Sequence, residues 1–251
     1  MPLLLRHDLF FSEKTMYFPA WPHTKIKELF PDIFYVTGTN KIDYDGIHLQ
    51  YSCNMIIIRN DDELSLINTI RLDDAGLKEL DALGEVKHII RIGAFHDRHD
   101  AFYLDRYDAK LWALKGMKHS HNHPTDRELA PHEPLPIADS QLFVFETSAA
   151  PEGIIHVTRQ GGIIITCDSI KNWIARDEFF NDETAALYEK QGFFGEATIS
   201  NVWRQATQVQ PEDFIRLQSM TFCHLLSAHG KPLIDRAYDA VTKTINTEFK
   251  M

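Results

Sequence analysis

The sequence predicts an α/β protein built as a four-layer sandwich, two mixed β-sheets face to face with helices on the outside. Two observations predict it. Apolar runs of strand length, rich in isoleucine, alternate with segments of helical periodicity. The pattern also comes twice, because a hairpin of buried strands followed by helices occupies each half of the chain. One domain is expected over residues 31–251, with residues 1–30 forming an arm packed on it.

The arm is irregular, with Pro2, Pro19 and Pro22, and one helical turn is expected at 25–30. A strand follows at 33–37, then a loop at 38–46. Strands at 48–59 and 63–69 are joined by Asn60-Asp61-Asp62, a polar trio between apolar runs that signals a hairpin. Ile56, Ile57 and Ile58 are consecutive, so that strand is covered on both faces. Asp73 or Asp74 caps a helix carrying Leu77, Leu80 and Leu83 on one side and closed by Gly84. Residues 86–92 read as a buried strand, followed by a Gly93-Ala94 break, a charged cluster, a short helix and a strand at 110–114. Pro124, Pro131, Pro134 and Pro136 make 115–140 a long loop, since prolines this dense forbid regular helix and central strand. Strands return at 141–146, 153–158 and 162–168, the last two joined by the turn Arg159-Gln160-Gly161-Gly162. Residues 169–189 read as helical and 191–195 as a break. A long amphipathic helix then has Pro211 in its first turn and Phe214, Leu217, Phe222 and Leu225 facing inward, ending near 227–230. A last helix starts after Pro232.

The totals exclude several function classes. A formal net charge of -10 argues against nucleic acid or an anionic membrane as the partner, because both attract basic surfaces. Leu3 to Leu5 is cut off by Arg6, His7 and Asp8, far short of a secretory signal, and no run approaches a membrane span. Cys53, Cys167 and Cys223 are odd in number and widely spaced, which fits a reducing cytoplasm better than a disulfide framework. No Gly-x-Ser-x-Gly and no P-loop supports a serine hydrolase or a nucleotide site.

The chemistry gathers at His96, Asp97, Arg98, His99 and Asp100, just past a buried strand, where open α/β sheets place their ligands. Imidazole and carboxylate together suit zinc, manganese or iron; the alternative is a charged loop without a ligand. Asn68, Asp168 (in ITCDS) and His229 (in SAHGK) also stand at element ends. In this order the four places resemble the metallo-β-lactamase fold from about Phe34 to Ala240. That family carries an early Asp, a His-x-His-x-Asp-His motif, a lone His, a Gly-Asp at a strand end and a final Gly-His. It holds one or two metal ions that activate water for hydrolysis, with iron redox members as well.

The departures limit what the resemblance implies. Asn68 replaces the early Asp. If His96 is the first histidine of the motif, Arg98 replaces the second, Asp100 is the retained Asp and Ala101 replaces the last. If His96 is the second, Ala94 replaces the first, Arg98 replaces the Asp and His99 is the last. Residues 146–153, ETSAAPEG, offer no lone His. Only Asp168 and His229 match cleanly. Two ions about 3.5–4 Å apart are therefore not expected; one Zn or Fe is, with metal ligands among His96, His99, Asp168 and His229. Asp100 is the candidate catalytic base or further ligand, and Arg98 would orient a small, anionic substrate. The alternatives are a degenerate member acting as a binding protein, its pocket closed by Arg98–Asp ion pairs, and an iron redox or metal-buffering protein. A homodimer is permitted but not required.

His119, His121 and His123 alternate, so in an extended chain they point one way and could grip an ion; a solvated polar loop is the simpler expectation. Cys167 is expected to point away from Asp168, because neighbours in a strand alternate, and to be a core residue.

Overall fold

The computed structural model describes residues 17–44 and 46–250; of the predicted arm, residues 1–16 lie outside the described residues. The first sheet has seven strands in sequential order: β1 (Lys27–Phe30), β2 (Ile33–Tyr44), β3 (Ile47–Asn60), β4 (Glu63–Ile67), β5 (Glu85–Arg91), β6 (Lys110–Leu114) and β7 (Arg127–Leu129). The first four pair antiparallel, the rest parallel. Helices α1 (Asp74–Asp81) and α2 (Asp100–Tyr107) make the crossovers that parallel pairing demands. The second sheet runs β11 (His224–Ser227), β10 (Ile163–Thr166), β9 (Gly153–Val157), β8 (Ser140–Val144), with β10 and β11 parallel. Helices α3 (Asp182–Lys190), α4 (Asn201–Thr207), α5 (Pro211–Gln218) and α6 (Ala237–Phe249) complete the chain.

The period of two along each strand sorts side chains into layers. Ile56 and Ile58 of β3 face the second sheet, where Ile155, Ile163, Ile165 and Leu226 meet them. Met55 and Ile57 face outward onto Leu77 and Leu80 of α1 and Tyr103 of α2. Ile154, Ile164 and Leu225 turn the other face of the second sheet toward Trp203, Phe214, Leu217, Val241 and Ile245 of the later helices. This is the predicted four-layer sandwich. Asp73 is the N-cap of α1, accepting from Gly76 N at 2.8 Å.

Polar stitches join the two sheets beside the site. Asn54 Nδ2 on β3 donates to Ser227 O at 2.9 Å and Gly230 O at 2.7 Å. Asn68 Nδ2, just past β4, donates to Thr166 O at 3.1 Å. Asn68 sits at φ 57°, a left-handed conformation that asparagine tolerates better than most residues.

Four local readings are corrected. The turn expected at 25–30 is strand β1, because Lys27, Glu28 and Phe30 pair with β2. The loop expected at 38–46 is mostly strand, because β2 stays in register with β3 through Ile42↔Leu49 to Tyr44↔Ile47; tertiary pairing overrides the low β-propensity of Gly38, Asn40 and Asp43. Residues 169–189 are helical only from Asp182, where Asn181 accepts from Thr184 N at 2.8 Å as the N-cap. The long helix stops at Gln218, and 224–227 is a strand buried on both faces. A short run of consecutive apolar residues carries no period that separates helix from strand. His229 therefore follows a strand, not a helix.

Candidate functional site

Strand register builds the site. Thr166 pairs with Ser227 at the parallel ends of β10 and β11. Asp168 and His229 each stand two residues beyond that pair, so they emerge side by side. His96 arrives from the first sheet. Gly153 N donates to Ile92 O at 2.8 Å, and Gly93 bridges Glu152, which ties the segment after β5 to the start of β9. Glycine is required there, since a Cβ on Gly93 would stand 2.3 Å from Cys167 Sγ.

Three side chains converge. His96 Nε2 lies 3.1 Å from His229 Nε2 and 3.4 Å from Asp168 Oδ2, and His229 Nε2 lies 3.2 Å from Asp168 Oδ1. His229 Nδ1 faces the Ser52 carbonyl at 3.4 Å and Cys53 Sγ at 3.8 Å. Burial lowers the His229 pKa to about 4, against the pull of Asp168, so the ring is neutral at pH 7. In the metal-free protein Nε2–H can donate to Asp168 Oδ1 at 3.2 Å; with the hydrogen on Nδ1, facing the Ser52 carbonyl, Nε2 instead turns a lone pair toward Asp168 and His96. Such a lone pair needs a proton or a cation between it and the carboxylate. Ligands about 2.0–2.2 Å from a tetrahedral ion stand about 3.3–3.6 Å apart, close to the spacings here. Two imidazoles and a carboxylate are a donor set that suits one ion, with His96 facing Oδ2 and His229 facing Oδ1 of Asp168.

Lys171 is the residue the sequence reading missed. Its Nζ lies 2.9 Å from Asp168 Oδ1, with both side chains nearly buried. Burial alone would raise the Asp168 pKa, but Lys171, His96 and His229 outweigh it and hold the carboxyl well below its ordinary value. Lys171 stands three residues after Asp168 among Ser169, Ile170, Asn172 and Trp173, a mixed stretch in which nothing marks a lysine as buried. Glu152 was missed too. It lies in the stretch searched for a lone histidine, buried, accepting from Ser169 N at 2.5 Å and Trp203 Nε1 at 2.8 Å. Burial, with Asp168 nearby, pushes its carboxyl up toward the neutral form.

The other predicted residues lie apart from this cluster. His99 is buried edge-on against Trp21, ring centroids 5.6 Å apart, with Nδ1 unpartnered, and burial lowers its pKa to about 3. Asp100 accepts from Thr69 Oγ1 at 2.6 Å, and burial raises its pKa to about 6. Arg98 lies over the Phe18 ring at 4.5 Å and lines a cavity beside His96; the Arg98–Asp ion pairs of the closed-pocket reading are not formed among the described residues. Cys167 is the expected core residue, fully buried between the sheets, but its expected direction is corrected. Strand β10 ends at Thr166, so alternation no longer applies, and Cys167 Sγ lies 4.0 Å from Asp168 Oδ2. His96, Cys167 and Asp168 offer ligand atoms within 4.8 Å of one another.

Asp97, His119 and His121 form a second such group. Arg91 already stands in it, donating to His119 Nδ1 at 2.8 Å and lying 3.5 Å from Asp97 Oδ2. His123 turns instead to Asp105, 2.9 Å away.

No family model matches the sequence, and no curated protein matches it. Solved structures do. The DIM-1 metallo-β-lactamase exposed to ceftazidime superposes with TM-score 0.59 at 12% identity, over 91% of this chain and 99% of that one. The chain has the metallo-β-lactamase fold. The FIM-1 enzyme of Pseudomonas aeruginosa in its mono-zinc form gives TM-score 0.58 at 12% identity, over 92% and 98%. A metallo-β-lactamase from Pontibacter korlensis gives 0.58 at 13%, over 88% and 98%. Within the metallo-β-lactamase fold, His96, Asp168 and His229 occupy the strand-end edge that the sequence reading assigned to the site. No helix among the described residues is long and apolar enough to cross a membrane.

Proposed function

We propose that the protein is a metal-dependent hydrolase with a single ion, acting on a small anionic substrate. The observation that carries the reading is the convergence of His96 Nε2, His229 Nε2 and the Asp168 carboxylate within 3.1–3.4 Å. Two imidazoles and a carboxylate suit zinc or Fe(II) with positions left open. A bound ion would supply hydroxide near neutral pH by lowering the pKa of water. The chain's own residues do the rest. Ser52 O fixes the His229 tautomer, a role that outer partners of metal-bound histidines commonly have. Lys171 holds Asp168 Oδ1 and leaves Oδ2 toward His96. Arg98 orients the substrate from the neighbouring cavity. His99 and Asp100 are not assigned a part. The mono-zinc form of the similar FIM-1 structure is consistent with one ion. Three free cysteines and the acidic balance suit a cytoplasmic protein that binds neither nucleic acid nor membrane.

Elemental analysis of untagged protein purified without added metal tests the reading. About one equivalent of Zn or Fe, lost in His229→Ala, is expected. No metal after incubation with Zn and with Fe(II) under reducing conditions overturns it. The second reading, a binding protein without catalysis, is favoured by Lys171 alone, because its ammonium supplies Asp168 with an internal cation in place of a metal.

A further inference from the structure

The His96 cluster separates two cavities of different chemistry. One, of about 270 Å³, has Arg98 on its wall together with Phe18, Asn40 and Ile42. The other, of about 300 Å³, is walled by Trp173, Tyr188, Phe193, Val202 and Trp203. Tyr51, Phe95 and His96 line both, so the cavities adjoin through the cluster. Each is at or below the small end of ligand pockets, and together they reach an ordinary size. Phe95 is 58% exposed, a large apolar surface at the boundary.

Charge in the first cavity comes down to Arg98. Asp97 Oδ2 already accepts from Ser120 N at 2.6 Å and lies 3.5 Å from Arg91, so its charge is matched locally. His99 is neutral. Among the described residues no carboxylate lies within ion-pair distance of Arg98, which rests on the Phe18 ring at 4.5 Å. That leaves a guanidinium, always charged, with its donor fork free for an anion.

Away from the cluster, most polar groups of the second cavity are already engaged. Trp173 Nε1 donates to Ser52 Oγ at 2.8 Å and Trp203 Nε1 donates to Glu152 at 2.8 Å, so neither indole offers its N–H to a ligand. Ser200 Oγ accepts from Trp203 N as the N-cap of α4. Lys171 is held by Asp168 and lies 5.1 Å from the Phe193 ring centroid. Away from His96, Asp168, Lys171 and His229 of the cluster, this cavity presents ring faces, methyl groups and the Tyr188 hydroxyl, and Val202 stands 44% exposed.

We infer that the site takes an elongated molecule with a carboxylate or other anionic group at Arg98 and an aromatic or similarly bulky apolar group among Trp173, Tyr188, Phe193 and Val202. The linking portion lies across His96. Only the position of bond cleavage rests on the hydrolase reading; the binding does not.

The test uses the full chain stripped of metal with EDTA and titrated calorimetrically with ω-phenylalkanoates of increasing chain length. Their primary amides and the phenyl-free alkanoates are titrated in parallel. One chain length should bind at least about tenfold more tightly than its amide and than its phenyl-free counterpart, a factor of ten being about 1.4 kcal/mol. Arg98→Met should abolish the preference for carboxylate over amide, bringing the two to similar affinity. Val202→Asp should weaken both phenyl ligands and leave the alkanoate unchanged. Circular dichroism confirms that both variants fold. Equal binding of acid and amide to the wild type overturns the inference. So does retention of the carboxylate preference in Arg98→Met, or the absence of binding by every probe at millimolar concentration. A protein that binds the probes but never holds metal would overturn the hydrolase reading alone. A protein that holds one metal ion and ignores the probes would overturn this inference alone.

Discussion

Replacing Asp168 by Asn, in protein freed of metal, should cost about 3–5 kcal/mol of unfolding free energy, the range for breaking a buried ion pair by removing one partner. The size follows from the surroundings of Lys171. Its Nζ is 2.9 Å from Asp168 Oδ1, and the two side chains are 6% and 12% exposed. Among the described residues Asp168 is its one ion-pair partner, and the nearby Phe193 ring cannot neutralise a charge. Lys171→Met should cost less, about 1–3 kcal/mol, because the carboxylate keeps His96 and His229. The double variant removes both charges and should recover much of the loss, giving a coupling energy of about 2 kcal/mol or more. Urea unfolding measures this through shifts in midpoint at constant slope. Both single variants within about 0.5 kcal/mol of wild type, the range of ordinary surface changes, or a coupling near zero, would refute the reasoning. The sign with pH provides a control. Asp168 titrates well below its ordinary 3.8, so its contribution is full above that value and is lost as pH falls below it. The wild type and Asp168→Asn should converge there.

Other outcomes follow from the same geometry. His96→Ala should abolish metal binding as His229→Ala does, whereas His99→Ala should keep it while losing stability through its packing on Trp21; elemental analysis with thermal unfolding separates the two. Folded His229 titrates at about 4 and His99 at about 3, both below the ordinary 6.5, so their stabilisation is full above pH 6.5 and declines as pH falls toward those values. Each unit is worth about 1.4 kcal/mol, so the thermal midpoint should drop measurably between pH 7 and pH 5, and His99→Leu should blunt the drop. Gly93→Ala should cost about 1–3 kcal/mol by overpacking against Cys167. Replacing His119, His121 and His123 together with Ala should leave metal content unchanged, because Arg91 already supplies the cation in that cluster.

The sandwich was legible because its inner strands carry a signal that survives without neighbours. Ile56 to Ile58 and Ile163 to Ile165 are apolar on both faces, and the turns between strands declare themselves by Asn, Asp and Gly. What the sequence hid was decided by partners far along the chain. Residues 38–44 look like loop and become strand only because β3 offers hydrogen bonds in register. Residues 224–227 look like a helix face until β10 is placed alongside. At the site, Asp168 and His229 could be read from their places at element ends, but the choice of His96 over His99 could not. His99 and Asp100 open α2, and that turn carries them toward Trp21 and Thr69 instead of Asp168. Lys171 remained hidden because a lone lysine in a sequence does not reveal whether it reaches solvent.

The amide stitches from Asn54 and Asn68 give the molecule a property of a two-part lock. His96 belongs to the first half of the chain, Asp168 and His229 to the second, and the stitches set the offset at which they meet. Cut in the loop at 115–126, the chain would yield two fragments, each carrying an unfinished set of donors. Capture of an ion or a probe by the mixed fragments, and by neither alone, would then report their docking directly.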